Sequence, residues 1–199
     1  MELTGPTLTL RYPAPGDAEA LLAQASDEAV TRWFSWGPYE RAEQPLAWIG
    51  DQRQRRESGT QIDFVIDDHE HGVVGVTGLT ELSRRDRRAV VGTWIGREHW
   101  GSGINGQAKA LIAQLAFTVC GMERISAYAN PLNGRSVRAL EKVGFVHEGV
   151  LRRWHRHGDA QLDVAIVGML RAEWEAGAGG LRQTAGTVDG VPPEPWLVS

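Results

Sequence analysis

The run Trp100-Gly101-Ser102-Gly103-Ile104-Asn105-Gly106 constrains this chain most. It follows Ala89–Ile95, a segment rich in Val and Trp with the character of a strand. It precedes apolar residues at helical spacing: Ala108, Leu111, Ile112, Leu115, Ala116 and Val119. Gly121 supplies a helix stop. A glycine-rich turn between a strand and a helix gathers backbone N–H groups at the positive end of the helix, and that geometry binds phosphate. Gly101 and Gly103 permit close backbone approach, and Gly106 extends this into the first helical turn. The same glycines also suit a tight turn with no ligand. A Walker loop requires Gly-Lys-Ser/Thr at its end, whereas Gly106 is followed by Gln107. A dinucleotide fingerprint belongs early, in a βαβ unit, whereas this loop lies mid-chain after several strands.

Those strands read as follows. Thr7–Tyr12 alternates Leu8, Leu10 and Tyr12 on one face, and Asp17 then reads as the N-cap of a helix to Ala25. Thr31–Gln44, with Trp33, Trp36, Gly37 and Pro38, reads as an irregular loop. Pro45 opens a second helix that ends near Gly59. Ile62–Ile66 and Val73–Leu82 are strands, and Ser83–Arg88 is a basic turn whose default is a solvated hairpin tip. Beyond the central helix, Arg124–Ala129 is a strand. Asn133 caps a helix with Val137, Leu140 and Val143 on one face, closed by Gly144. Phe145–Leu151 and Leu162–Met169 are the last strands. The order is strand, two helices, three strands, helix, strand, helix, two strands: a mixed α/β sheet, not repeated βαβ units. Residues 1–175 read as one domain, and 176–199 as a mostly irregular Gly- and Pro-rich tail in which Trp196 could dock.

Composition excludes several classes. In 199 residues the net charge is −4, so no basic bias points to nucleic acid. A single cysteine, Cys120, rules out a disulfide framework within the chain and fits a cytoplasmic protein. No stretch is long and apolar enough to cross a membrane, and the start lacks the pattern of a signal peptide. His69, His71, His99 and His147 have no metal-ligand spacing, so no metal is expected.

The run GTWIGREHWGSGINGQAKALIAQLAF, followed by NPLNGRSVRALEKVGFVHEGVLRR, resembles the GNAT N-acetyltransferase superfamily. Within it the likeness is to the branch of ribosomal-protein N-terminal acetyltransferases. It covers roughly Leu8 to Trp174, with the weight on Gly92 to Arg153. The loop joined at this distance to Asn-x-x-Ser and Gly-Phe-x-x-Glu-Gly is the specific part. The resemblance implies an acyl-CoA N-acyltransferase fold, with a mostly antiparallel twisted sheet, splayed at the cofactor site and flanked by helices. It implies acetyl-CoA as cosubstrate, held by Trp100, Gly101, Ser102, Gly103, Ile104, Asn105 and Gly106. The strand Thr93–Gly96 would pair with the pantetheine arm through Trp94, Ile95 and Gly96. This strand and Ser126–Asn130 would splay to admit the thioester, with Asn133 beside it.

The resemblance further implies direct attack of an amine on the thioester. Ser136 matches the position that protonates the leaving thiolate, and Asn133 and Ser136 also suit plain helix capping. Two groups compete as the base, His155 and Glu81, and a water relay is the third option. Trp33, Trp36 and Tyr39, with Phe34, lie in the loop that covers the acceptor, where Asp27, Glu28 and Glu81 could favour a cation. The acceptor is a protein N-terminus or a small-molecule amine, and a homodimer is compatible with the branch. Departures from the pattern are Glu98, Gly106-Gln107, Val90 and Leu140. Val90 and Leu140 stand where relatives carry catalytic groups, which keeps a CoA-binding module without turnover as the alternative.

Overall fold

A computed structural model describes residues 1–198. One nine-stranded sheet runs through the molecule. Its strands are β1 (Glu2–Thr4), β2 (Leu8–Arg11), β3 (Gln61–Asp68), β4 (Gly72–Ser83), β5 (Arg88–Ile95), β6 (Arg124–Ala129), β7 (Val146–His157), β8 (Ala160–Leu170) and β9 (Thr187–Asp189). The order is β7-β8-β6-β5-β4-β3-β2-β1-β9, and every pair is antiparallel except β5 with β6. The helices are α1 (Ala18–Ala25), α2 (Glu28–Thr31), α3 (Glu43–Glu57), α4 (Ile104–Gln114), α5 (Gly134–Lys142) and α6 (Arg171–Glu175).

Alternation along the strands sorts side chains into two layers. Ile62, Phe64 and Ile66 of β3, with Leu79, Val91 and Ile95, bury against α4 in the larger core. Val65 and Val76 face the other way and meet Leu21 of α1 and Ile49 of α3 in a smaller one. Position 63 lies on this second face, under α1 and α3. The parallel pair is short. β5 and β6 match only at Arg88 with Arg124, Ala89 with Ile125, and Val90 with Ser126. Beyond Val90, β5 stays with β4 and β6 stays with β8, so the two strands part and leave an open edge on β5.

Four expectations need correction. Asp17 does not cap α1; it ends a 3-10 turn, and its carboxylate binds Ala14 N at 2.7 Å and the Arg11 guanidinium at 2.8 and 2.9 Å. The strand read as Phe145–Leu151 runs on to His157, because His155–His157 pair with Ala160–Leu162 in a long hairpin. The segment Glu28–Thr31, read in part as loop, forms a short helix capped by Asp27, whose Oδ1 accepts from Ala29 N at 2.7 Å. The tail is ordered: Ala178–Thr184, with 3-10 turns broken by a left-handed kink at Gly179 and Gly180, lies against α4, and β9 pairs with β1. Trp196 is fully buried, and its Nε1 donates to Arg56 O at 2.8 Å. Leu181 and Trp196 carry no periodic signal, yet their burial outweighs the local looseness of the surrounding glycines.

Candidate active site

The open edge of β5 leads into the glycine loop. Gly101 and Gly103 hold φ of +84° and +94°, a region that disfavours side chains, and a Cβ at either would meet nothing within 4 Å. The first helical bond of α4 runs from Gln107 N to Gly103 O at 3.2 Å. The amides of Ile104, Asn105 and Gly106 therefore lack a helical acceptor, and they sit at the positive end of the helix dipole. An open cradle in front of unpaired amides suits the pyrophosphate of acetyl-CoA. Trp100 anchors the loop: its Nε1 donates to Ile95 O at 2.8 Å, and the Arg135 guanidinium stacks 3.2 Å from its ring centroid. That stack brings the start of α5 to the loop. There Asn133 Oδ1 accepts from Ser136 N at 3.2 Å, so Asn133 does cap α5, and Ser136 sits one turn in.

On the other side of β5 lies a cavity of about 400 Å³ under α1 and α3. Phe34, Trp36, Tyr39, Trp48 and Trp94 line it. Trp36 is the hub: it stacks on Phe34 with centroids 5.2 Å apart, tilts against Tyr39 at 5.3 Å and meets Trp94 edge-on at 5.7 Å. Trp33 is not among the lining; Arg32 covers its ring at 4.8 Å. Asp27 is occupied with capping α2 and with Arg97 at 3.6 Å.

The carboxylate in the cavity wall is one the sequence reading passed over, Asp63. It is 8% exposed. Its Oδ2 accepts from Gln61 Nε2 at 2.6 Å, and Gln61 Oε1 in turn accepts from Arg55 Nη1 at 3.1 Å. Among the described residues no donor reaches Oδ1. Burial lifts this carboxyl to about 7, against the pull of the Gln61 hydrogen bond and the Arg55 charge. A lone Asp between Ile62 and Phe64 in an apolar strand was the available signal, and the strand reading absorbed it.

Glu81 and His155 come together at the outer flank of the splay, through Tyr128. Tyr128 Oη donates to Glu81 Oε2 at 3.3 Å, and the His155 ring meets the Tyr128 ring edge-on at 5.4 Å. Neither Glu81 nor His155 lines the cavity. Burial, then the neighbouring His157, holds His155 below its ordinary range. Burial, then the Glu81 charge, raises Tyr128.

Two further groups are buried here. Lys109 of α4 is 3% exposed, and its Nζ donates to Thr93 Oγ1, which also pairs with Thr77 Oγ1 at 2.7 Å. Burial lowers this lysine to about 7. Cys120 is fully enclosed, and burial pushes its thiol up to about 12, which makes it core rather than nucleophile. Among the described residues no three His, Cys, Asp or Glu side chains gather as a metal site.

A mixed sheet that splays beside a glycine loop and a helix start, with a cavity across the splayed strand, is an acyl-CoA transferase architecture. The chain belongs to the acetyltransferase (GNAT) domain family, whose model matches residues 7–146. It is 27% identical over 170 residues to the uncharacterized N-acetyltransferase p20 of Bacillus licheniformis, covering 84% of this chain and 94% of that one. It is 27% identical over 151 residues to spermidine N(1)-acetyltransferase of Vibrio cholerae, covering 72% and 82%. Its fold matches RimJ of Mycobacterium smegmatis, solved in complex with CoA-disulfide, at a TM-score of 0.77 and 24% identity over 87% of each chain.

Proposed function

We propose that this protein transfers the acetyl group of acetyl-CoA to a primary amine, by direct attack of the amine on the thioester. The observation that carries this is the meeting at one splayed strand of two sites of opposite preference. The loop side offers unpaired amides for an anion. The cavity side offers aromatic walls and a carboxylate for a cation.

When bound, acetyl-CoA supplies an activated acetyl thioester. The amides of the Trp100–Gly106 loop hold its pyrophosphate, and the open edge of β5 at Trp94, Ile95 and Gly96 lies along its pantetheine arm. A backbone N–H near Trp94 or Ile95 steadies the carbonyl oxygen as charge grows there. Asn133 orients the start of α5, and Ser136 offers a proton to the departing sulfur. Trp36 and Tyr39 receive the acceptor, and Trp33 shapes the loop that carries them. Glu81 and His155, joined through Tyr128, pass protons between the splay and solvent. A homodimer would use edge strand β7, where Val146, Val150 and Trp154 are exposed. No helix among the described residues is long and apolar enough to cross a membrane, and a cytoplasmic setting suits the single cysteine.

The test is acetyl-CoA binding followed by thiol release with a panel of amines. Binding with amine-dependent thiol release is expected. Binding with no release on any amine favours the CoA-binding module, and no binding removes both readings.

A further inference from the structure

We propose that Asp63 is the acceptor's anchor and proton acceptor, and that the acceptor is a small, singly charged amine on an apolar, preferably aromatic, body. This rests on the acetyltransferase reading above and names the substrate class for the same site.

The geometry is specific. Asp63 matches Gly78 in the β3–β4 register, and Gly78 matches Gly92 in the β4–β5 register. A Cβ at Gly78 would overlap Asp63 Oδ1, so the carboxylate lies across β4 where a side chain is missing. A Cβ at Gly92 would meet nothing within 4 Å. The two glycines thus form a bare trough from the carboxylate to the open edge of β5. Neighbouring strands lie about 4.8 Å apart, so an amine over Gly92 sits between Oδ1 and the splay. The Arg55–Gln61 chain engages Oδ2 and leaves Oδ1 without a donor. Oδ1 keeps access to the cavity and can accept a hydrogen bond from a ligand there.

The lining sets the substrate class. Aromatic rings form the walls around an ammonium path, which suits a cation with an apolar body. About 400 Å³ lies near the low end of small-ligand sites, roughly 300–1,000 Å³. The wall holds one carboxylate, Asp63, and one guanidinium, Arg55. A polyamine's second ammonium would meet Arg55 without a second carboxylate. The titratable and charged groups facing Asp63 are Arg55 from α3 and Tyr39 from the loop before it. From β4 and β5 the lining adds Thr80, Thr93 and glycines; Lys109 stands behind β5, at Thr93.

The step balances as follows. One ammonium proton passes to Asp63. The freed lone pair forms the C–N bond to the acetyl carbon as the C–S bond breaks. The second proton lost by nitrogen goes to the sulfur by way of Ser136, and Asp63 returns its proton to solvent as the amide leaves.

The experiment uses the full chain with 2-phenylethylamine, tryptamine, ethylamine, spermidine and a serine-led hexapeptide. It reads kcat/KM by thiol release across pH 5.5–9 and acetyl-CoA Kd by calorimetry. The arylalkylamines are expected to exceed spermidine and the peptide at least tenfold. Asp63→Asn is expected to lower kcat/KM about 10²- to 10³-fold, to leave acetyl-CoA Kd within twofold, and to remove an ionisation near pH 7. Trp36→Ala, as a second variant, is expected to erase the preference for 2-phenylethylamine over ethylamine. Asp63→Asn turnover within threefold of wild type with the same pH limb overturns the proposal, as does a preference for spermidine or the peptide. Wild-type protein that fails to bind acetyl-CoA overturns the acetyltransferase reading itself.

Discussion

The Asp63 carboxylate lies over the backbone of Gly78, in the space where a side chain at that position would have to begin. One oxygen is tied to Gln61 at 2.6 Å, and the other lies over Gly78, whose partner in the next strand is Gly92. A sheet that could have packed solidly against α1 and α3 instead gives up two side chains to seat one acid.

Gly78→Ala tests that relationship sterically. Gly78 does not have positive φ, so the added methyl acts by contact and not by backbone strain. It should push aside both the Asp63 carboxylate and the β3 backbone at Ile62 O, at a stability cost of about 1–3 kcal/mol or more. The expected result is at least a tenfold lower kcat/KM for the amine with acetyl-CoA Kd unchanged, read by steady-state kinetics and calorimetry. Unchanged amine kinetics would count against the trough.

Asp63→Asn should stabilise the protein while weakening it as a catalyst. The folded carboxyl titrates at about 7, above its value of 3.8 in water, so the folded state holds a proton the unfolded chain has lost between those values. Stability therefore falls as pH rises from about 4 to 7, and the full penalty is present above 7. Each pH unit corresponds to about 1.4 kcal/mol, so the ceiling on the gain is about 4 kcal/mol. Melting curves should show a gain at pH 8 that shrinks toward pH 4.

Lys109→Met should show the opposite dependence. The folded lysine titrates at about 7, below its ordinary 10.5, so the unfolded chain holds an extra proton between those values. Wild-type stability rises across that window, and the burial penalty is complete below pH 7. The variant's gain in melting temperature should be larger at pH 6 than at pH 10.5. Equal gains would show that Lys109 is not enclosed as described.

Gly103→Val should act on the other substrate. At φ +94° a β-branched residue is strained, and its side chain would fill the space in front of the α4 amides. KM for acetyl-CoA should rise at least tenfold while the amine KM stays within twofold. The reverse pattern would move the cofactor away from this loop.

Much of the architecture was legible in the chain. The alternation in β2, the apolar run of β3, the helical spacing of α4, and the caps at Asn133 and Gly144 are local signals, and they place the loop and the start of α5 correctly. Less legible were features that depend on distant partners. β1 and β9 are three residues each, and they exist because β1 pairs with β2 and β9 pairs with β1 at the sheet edge. The charged stretch Arg152–His157 has no strand signal of its own, and it extends β7 because His155–His157 pair with Ala160–Leu162. Glu81 and His155 are 74 positions apart, and Tyr128 from β6 brings them together.

By itself, the sequence determined the family, through its motifs, and the mixed sheet and glycine loop, because these are written in short-range spacing and in glycines with a local conformational task. Only the tertiary structure decided where the aromatic cavity lies and which acid faces it. Asp63 in isolation is an ordinary strand carboxylate. It becomes a buried acid titrating near 7 because α3 covers it, Gln61 orients it and Gly78, on the neighbouring strand, leaves room for it. Solvation and strand register are properties of the assembled layers, and no spacing along the chain encodes them.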